Sequence, residues 1–448
     1  METTLPRPDA AGTRPRRLAR LGARLAPLLL HTGVLVGLYA VLYTLGIITQ
    51  LPDNSNLLSW DADLFHRIAQ TGYDDAASGI NAFFPLLPGI WHFTGFSAIQ
   101  ISLLNATCLL AGMALLGWAF RLSNRQLLVA LSGPLLLFGL VPYAEALFFL
   151  GSAVLLAGLH RQRLGLVVLG LVVACLARSA ATLLIPSYLF AELLWWGRGH
   201  WRWAQLGRLL AGIAACLVAL GGVMLLQYRS HGDALAFYKV HALWGHIWQP
   251  PLLPLHSSAG INVLWLDATA LVVAGLSLLS CLVLGLHWLT SWRTTPTATA
   301  VAAQALPPSK AVLFSLSYCV GAGYFIVFYQ AGDLVGLARY VLASPFFVVL
   351  FWQLGQLPRQ RARQLAAAVL GAGLLAVLAL GGLGGFNSFY PGQALVYFGL
   401  FLLYLLAYVA VGARLTPWFR EAGTALYLVN CLVMLYLLDL FLHVIWIN

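Results

Sequence analysis

The sequence predicts an all-α polytopic membrane protein with about 13 transmembrane helices, and composition and run length carry this prediction. Of the 448 residues, 61% are hydrophobic and only 9% are charged, whereas soluble globular chains carry about 25% charged residues. The apolar residues form long runs that suit helices of roughly 20 residues rather than the alternating segments of a membrane barrel. A water-soluble enzyme, a disordered chain and a disulfide scaffold are therefore excluded.

The first predicted span follows a basic segment, residues 1–24, which contains six arginines. The apolar run after it, 25–48, is longer than the apolar core of a signal peptide, so we expect a transmembrane helix with its basic end in the cytoplasm. The chain from 25 to 448 is interpreted as one transmembrane domain. Its further spans are predicted at 98–120, 126–142, 144–160, 164–177, 180–196, 209–226, 261–289, 311–329, 338–356, 365–384, 394–413 and 423–445.

The basic residues predict the orientation of these spans. Twenty of the 25 Lys and Arg residues fall at the predicted inner side, and the other five are Arg67, Arg178, Arg229, Lys239 and Arg339. The net charge of +11 is thus explained by the positive-inside rule rather than by nucleic-acid binding. The two long outer loops are 49–97 and 227–260, and a Thr/Ala/Pro-rich cytoplasmic linker is predicted at 294–309. The amino-acid composition of the chain is typical of a bacterial protein, so we expect a bacterial plasma membrane. Any chemistry is expected on the extracytoplasmic face of this membrane.

The first outer loop contains a short amphipathic segment, residues 59–73. Ser59 is the expected N-cap and Gly72 the residue that follows the helix. About twelve helical residues span only ~18 Å, so the helix is predicted to lie in the membrane interface. The next apolar piece is interrupted by Pro85 and Pro88, and it is predicted to be re-entrant or interfacial.

Two carboxylates of this helix are candidate catalytic groups. Asp61 shares an apolar stripe with Phe65 and Ile68, where partial desolvation would raise its pKa, as a general base requires. The alternative for Asp61 is a first-turn acid that stabilises the helix N-terminus. Asp63 precedes Arg67 by four residues, the spacing of a helical ion pair, so a salt bridge is the alternative to a catalytic role.

Several motifs occur in one order along the chain. They are Trp60-Asp61, Phe65, Ile68-Ala69 and Gly72-Tyr73; Phe83-Phe84-Pro85 and Pro88; Tyr143-Ala144-Glu145-Ala146-Leu147-Phe148; Arg178-Ser179; Gly232-Asp233, Ala236-Phe237 and Trp244; and Arg339-Tyr340. With this set, from about 58 to 350, the chain resembles the PIG-V-like mannosyltransferases of the GT-C superfamily. It departs from the family pattern at Ala144, Ala180 and Ala181, where the family has Ser and Asn-Gly.

The resemblance implies a GT-C-like fold and an inverting transfer of mannose from a polyprenyl-phosphate-mannose donor, without a nucleotide cofactor. The acceptor would be a hydroxyl of a glycolipid or glycan. Such chemistry needs a base for the acceptor hydroxyl, for which Asp61 is the first candidate and Asp63 the second. It also needs cations or hydrogen-bond donors at the departing phosphate.

The remaining candidate site residues would bind substrate. Arg178 and Arg339, which precedes Tyr340, lie at predicted outer helix ends and suit a lipid phosphate; the alternatives are a snorkelling side chain for Arg178 and, for Arg339, headgroup anchoring or a pair with Asp333. Glu145 would bind sugar hydroxyls or, as we favour, pair with an arginine. In the second long loop, side chains that could stack on a sugar also fit an interfacial aromatic belt: His241, Trp244, His246 and Trp248.

The residues outside these motifs indicate less about the function. The six cysteines lie in apolar stretches without a CxxC, and His241 and His246 lack suitably spaced partners, so no disulfide framework, zinc site or other metal site is expected. Asp267 and Asp439 lie inside predicted spans and are functional candidates without a motif. A lipid-linked oligosaccharide flippase or other transporter is the main alternative function, although no inverted repeat is visible. A non-catalytic scaffold is the third, and the ordered motifs argue against it.

Overall fold

The regular structure in this computed structural model is entirely helical across the described residues, which are 14–73, 79–179, 181–196, 203–291, 308–381 and 389–447. This confirms the all-α prediction. Residues 1–13 of the predicted basic segment and 294–307 of the predicted linker lie outside the described residues. The α-helices are α1 Arg14–Thr44, α2 Asp61–Thr71, α3 Leu86–Thr94, α4 Ala98–Phe120, α5 Asn124–Leu131, α6 Glu145–His160, α7 Leu164–Ala177, α8 Ala181–Trp196, α9 Trp203–His231, α10 Ala236–Lys239, α11 Ile261–Ser291, α12 Lys310–Tyr329, α13 Leu337–Val341, α14 Pro345–Leu354, α15 Arg359–Ala379, α16 Pro391–Gly412 and α17 Phe419–Leu442.

Eight helices in the described part of the chain are long and apolar enough to cross a membrane: α1, α4, α9, α11, α12, α15, α16 and α17. These helices support a multi-pass membrane protein. Four further apolar helices, α6, α7, α8 and α14, are shorter. At a rise of about 1.5 Å per residue, even the 16 residues of α6 extend about 24 Å, less than the hydrocarbon thickness of roughly 30 Å. The expected number of about 13 spans is therefore not confirmed.

Two predicted spans are interrupted in the structure. The run 126–142 contains the end of α5 at Leu131, then Gly133 and a 3-10 turn over Pro134–Gly139, all of whose residues are buried. Its apolar residues thus belong to the protein core and do not form one membrane-crossing helix. The run 338–356 divides into α13 and α14 at Pro345, which starts the second helix. Proline cannot donate the backbone hydrogen bond that a continuous helix needs, so both interruptions are expected where proline occurs.

The antiparallel pair α6 and α7 is packed closely through glycines. An added Cβ at Gly158 would lie 2.7 Å from the backbone nitrogen of Val167, and one at Gly170 would collide with the backbone of Leu155. Small residues allow helix backbones to approach in this way. Because α6 starts at Glu145 and α7 ends just before Arg178, the pair brings these two charged side chains to the same end of the molecule.

The basic loops meet at the other end of the helices. The Arg125 guanidinium lies over the Phe419 ring, 5.5 Å from its centre, and the Lys310 amine is 2.6 Å from the carboxylate of Glu192. Arg161 lies over Trp118, at the end of α4. The loops predicted on opposite sides of the membrane are therefore also grouped at opposite ends of the structure.

Candidate functional site

A cavity of about 600 Å³ lies where the predicted outer loops meet. Its wall is formed by the start of α2, the loop before α3, the ends of α6 and α7, the second long loop, the segment around α13 and the C-terminal tail. Among its lining residues are seven of the eight predicted site residues: Asp61, Glu145, Arg178, His241, Trp244, Arg339 and Tyr340. The eighth, Asp63, is exposed on the first turn of α2 and does not line this cavity.

The helix α2 begins at Asp61, and the prediction of Ser59 as its N-cap is wrong. Trp60 occupies the N-cap position with φ of +57° and ψ of −125°. The Ser59 hydroxyl instead donates to the Asn56 carbonyl, 2.8 Å away. The backbone N–H of Asp61 donates to the Tyr143 hydroxyl at 3.2 Å, so a distant residue satisfies this helix end. The helix is followed by Gly72, as predicted.

The apolar stripe of α2 is present, but the surroundings of Asp61 differ from the prediction. Phe65 and Ile68 are buried, while the Asp61 side chain is 26% exposed at the cavity. Its Oδ2 accepts a hydrogen bond from Nη2 of Arg339 at 3.0 Å. The carboxylate is thus paired with a cation instead of lying only among apolar groups. Both acids occupy the first turn, where a negative charge also favours the helix N-terminus.

Glu145 connects two arginines. Its Oε1 accepts from Nη1 of Arg178 and from Nε of Arg339. Glu145 and Arg339 expose only 5% and 8% of their surfaces, and charges so well buried are normally paired. Asp61, Arg339, Glu145 and Arg178 therefore form one chain of alternating charges, whose formal sum is zero. Glu145 is thus paired with arginines, which is the interpretation that we favoured from the sequence.

Both guanidinium groups lie against aromatic rings. Arg339 lies 4.8 Å from the centres of the Phe138 and Tyr143 rings, and Arg178 lies 4.6 Å from the centre of Tyr340. Cation–π contacts of this kind favour a desolvated cation. The alternative pairing of Arg339 with Asp333 does not occur in the structure.

Two further carboxylates accept hydrogen bonds from the backbone near Arg339. Oδ1 of Asp333 accepts the backbone N–H groups of Ser258 and Val335, each at 3.0 Å. Oδ1 of Asp267 accepts the N–H of Ala338 at 2.9 Å, in the first turn of α13. The Ser257 hydroxyl donates to Oδ2 of Asp267 at 2.7 Å. Asp267 thus contacts the backbone next to Arg339, and its isolated place in a predicted span did not reveal this contact.

The other acid that lies inside a predicted span, Asp439, is not among the residues that line the cavity. Its Oδ1 accepts the backbone N–H of Thr49 at 3.2 Å, and its carboxylate is 3.6 Å from His443. Asp439 therefore connects the last helix, α17, with the loop that follows α1.

Histidine and tryptophan side chains form one wall of the cavity. The rings of His241 and His246 are stacked with their centres 5.9 Å apart, and Trp244 is 5.5 Å from His241 and 6.4 Å from Phe83. Burial lowers the pKa of His241 to about 4 and also lowers that of His246, so both rings are neutral near pH 7. In the described part of the chain, no group of three or more His, Cys, Asp or Glu residues is arranged to hold a metal ion.

The fold and cavity together define a multi-pass helical membrane protein with a buried, charge-paired site at one end. Comparison with known proteins finds no family model, no curated protein and no solved structure that matches this chain. The resemblance to the PIG-V-like mannosyltransferases therefore depends on the motif residues alone. Those motifs contribute Asp61, Glu145, Arg178, Trp244 and Arg339 to one cavity, although they are far apart in the sequence.

Proposed function

We propose that this protein is an inverting glycosyltransferase that moves mannose from a polyprenyl-phosphate-mannose donor to an acceptor hydroxyl. One observation carries the proposal: a cavity-lining carboxylate, Asp61, is ion-paired with a buried arginine, Arg339, next to a second arginine, Arg178. A base and a pair of cations in one cavity are the groups that this reaction needs. The GT-C-like fold is part of the same proposal.

In the proposed reaction, the acceptor oxygen forms a bond to the anomeric carbon as the bond from that carbon to the phosphate oxygen breaks. The electron pair of the broken bond leaves with the polyprenyl phosphate. The acceptor proton passes to Asp61, whose Oδ1 is not the oxygen that Arg339 contacts. Neutral Asp61 then attracts Arg339 less strongly, so the guanidinium can stabilise the charge that develops on the phosphate.

The sugar would lie between the charged cluster and the wall formed by His241 and Trp244. A volume of about 600 Å³ is within the range of ~300–1,000 Å³ for small-molecule sites. Neutral imidazoles can donate and accept hydrogen bonds with hydroxyl groups, and an aromatic face suits the C–H groups of a sugar ring. A cavity that combines these groups with two arginines fits a sugar phosphate better than an apolar ligand.

The proposed orientation puts this cavity on the extracytoplasmic face of a bacterial plasma membrane, with the N-terminus in the cytoplasm. It is supported by the separation of the loops, because the cavity is formed by loops with few basic residues and the basic loops meet at the opposite end. A donor on that face must be lipid-borne, since nucleotide sugars are cytoplasmic. The acceptor is then a glycolipid or glycan on the same face.

The test supplies membranes containing the protein with polyprenyl-phosphate-mannose labelled in the sugar. We expect the label to move to another lipid or glycan in these membranes and not in matched membranes that lack the protein. A transporter would instead move the intact donor between leaflets. Label that stays on the polyprenyl phosphate, with folded protein and added acceptor extract, would contradict the proposed transfer.

A further inference from the structure

The second long outer loop contains an apolar segment, Leu243–Leu253, that is not packed into the core. Between Lys239 and Asp267 the sequence has no Asp, Glu, Lys or Arg. Contiguous exposed apolar surface of this kind marks a binding surface for a protein or a membrane. Six large hydrophobic side chains of the segment expose between 43% and 73% of their surface: Leu243, Trp244, Ile247, Trp248, Leu252 and Leu253.

Backbone hydrogen bonds fix the depth of this segment relative to two candidate spans. The Leu252 N–H donates at 2.9 Å to the carbonyl of Ala331, two residues beyond the end of α12. Just after the segment, the Leu255 N–H donates at 2.8 Å to the carbonyl of Ala379, the last residue of α15. The segment therefore lies at the level where two long apolar helices end, rather than above them in water.

One side chain of the segment reaches farther along α12. The Trp248 ring is centred 5.2 Å from Tyr329, at the end of this helix, and 5.5 Å from Tyr324. Tyr324 precedes Tyr329 by five residues, which corresponds to about 7.5 Å along a helix axis. Because Tyr324 is 55% exposed, Trp248 lies on an outward-facing side of a candidate span. Tryptophan is enriched at this depth, where headgroups meet acyl chains.

We propose that the segment Leu243–Leu253 is inserted into the leaflet on the cavity side, with its apolar side chains other than Trp244 in contact with lipid. The occupant of this surface is the bilayer and not a protein partner, because the surface continues onto the exposed apolar side chains of α12 and α15. Tyr324 on α12 and Leu375 and Leu378 on α15 are exposed. A segment that is free of charge and anchored at the ends of two spans can enter the interface without burying an ionised group.

This insertion has a consequence for the cavity. Trp244, Gly245 and His246 belong to the segment and also line the cavity. If the segment is inserted, the cavity wall lies at headgroup depth, and the phosphate and sugar of a lipid can enter it from the bilayer. This consequence rests on the proposed function, whereas the insertion itself does not.

The test measures the depth of single labelled positions in the full-length protein in phosphatidylcholine vesicles. Leu252→Cys and Leu253→Cys are each coupled to a thiol-reactive environment-sensitive fluorophore, and the unsubstituted protein gives the background from its own cysteines. Quenching by nitroxide groups on lipid acyl chains is compared with quenching by aqueous iodide. The matched control is Lys239→Cys, in the same loop, since this side chain is 64% exposed and its amine is 2.8 Å from the Asp233 carboxylate.

We expect a larger loss of fluorescence with the nitroxide lipid than with iodide at Leu252→Cys and Leu253→Cys, and the reverse order at Lys239→Cys. Stronger quenching by iodide at the two leucine positions would overturn the insertion, because it would place them in water. Quenching by neither reagent would also overturn it, because the segment would then be covered by protein. Either result is independent of sugar transfer, so failure of the insertion and failure of the proposed function are distinguishable.

Discussion

Substitution of Asp61 by Asn isolates the basicity of the proposed catalytic carboxylate. Asparagine has nearly the same shape and keeps an oxygen that can accept the hydrogen bond that Nη2 of Arg339 makes at 3.0 Å. The Asp61 side chain is 26% exposed, whereas that of Arg339 is only 8% exposed. Loss of the ion pair should therefore cost more than the ~1 kcal/mol typical of exposed pairs and less than the ~3–5 kcal/mol of pairs that are buried on both sides. General bases contribute roughly 10²–10⁴-fold to rate. We therefore expect a folded Asp61→Asn protein whose transfer rate is at least about 100-fold lower.

The chain offers a matched control two residues away. Asp63 lies in the same helical turn of α2 and carries the same charge, but it is exposed and does not line the cavity. Surface substitutions usually change free energies by about 0.5 kcal/mol or less, so Asp63→Asn should keep its rate within roughly a factor of two to three. The assay is the initial rate of label transfer per folded molecule, with folded protein measured by size-exclusion chromatography in detergent.

Two results would contradict the assignment of Asp61 as the base. Near-normal transfer by Asp61→Asn would show that its carboxylate is not the base. A large loss in Asp63→Asn with little loss in Asp61→Asn would move the role to the exposed acid, and the cavity would then not contain the reacting groups. Binding of donor should persist in both variants, because neither substitution removes an arginine.

Four other predictions concern the role of Arg339, the hydrogen bond that Asp267 accepts, the pH dependence of thermal stability and the orientation of the protein in the membrane. Arg339→Ala should lower kcat per folded molecule, and Arg339→Lys should recover only part of it, since a point charge cannot replace a bidentate fork; a wild-type kcat in the Ala variant would exclude the phosphate role. Asp267→Ala should lose the hydrogen bond at the start of α13, which costs about 1–3 kcal/mol, and Asp267→Asn should restore part of both stability and kcat; equal kcat in all three proteins would contradict a positioning role. The pKa of His241 is lowered to about 4 from about 6.5 when exposed, so between these pH values the unfolded chain binds a proton that the folded protein does not bind. Thermal stability should therefore be highest above pH 6.5 and fall toward pH 4, and His241→Gln should flatten this fall. A membrane-impermeant thiol reagent on intact cells should label Ser55→Cys and should label Gln360→Cys only after lysis; the opposite pattern would reverse the proposed orientation.

Local sequence was sufficient to predict features that depend on neighbouring residues. The apolar runs predicted an all-α membrane protein, and the stripe of Phe65 and Ile68 predicted the buried face of α2. The sequence predicted that Glu145 pairs with an arginine, and one of its two partners, Arg178, follows the next apolar run of the chain. An antiparallel helix pair with a short connection must bring such residues together.

Features that depend on distant residues were not predictable in this way. The start of α2 is set by Tyr143, 82 positions away, and not by Ser59. Asp267 supports α13 across 71 positions, and no local motif indicates such a contact. The break at Pro134 had a visible signal, a Gly-Pro pair, but hydropathy alone does not distinguish a buried 3-10 turn from a membrane span.

Transfer of a sugar from a lipid phosphate releases one polyprenyl phosphate for each acceptor that is glycosylated, so the ratio of the two products can be measured. Purified protein in vesicles is given doubly labelled polyprenyl-phosphate-mannose, with one label in the sugar and one in the lipid, together with acceptor extract. The proposed reaction predicts equal amounts of free polyprenyl phosphate and mannosylated acceptor, and at least about 100-fold slower formation of both products with Asp61→Asn. Donor that is recovered intact, whether or not it has changed leaflet, would contradict the proposed transfer.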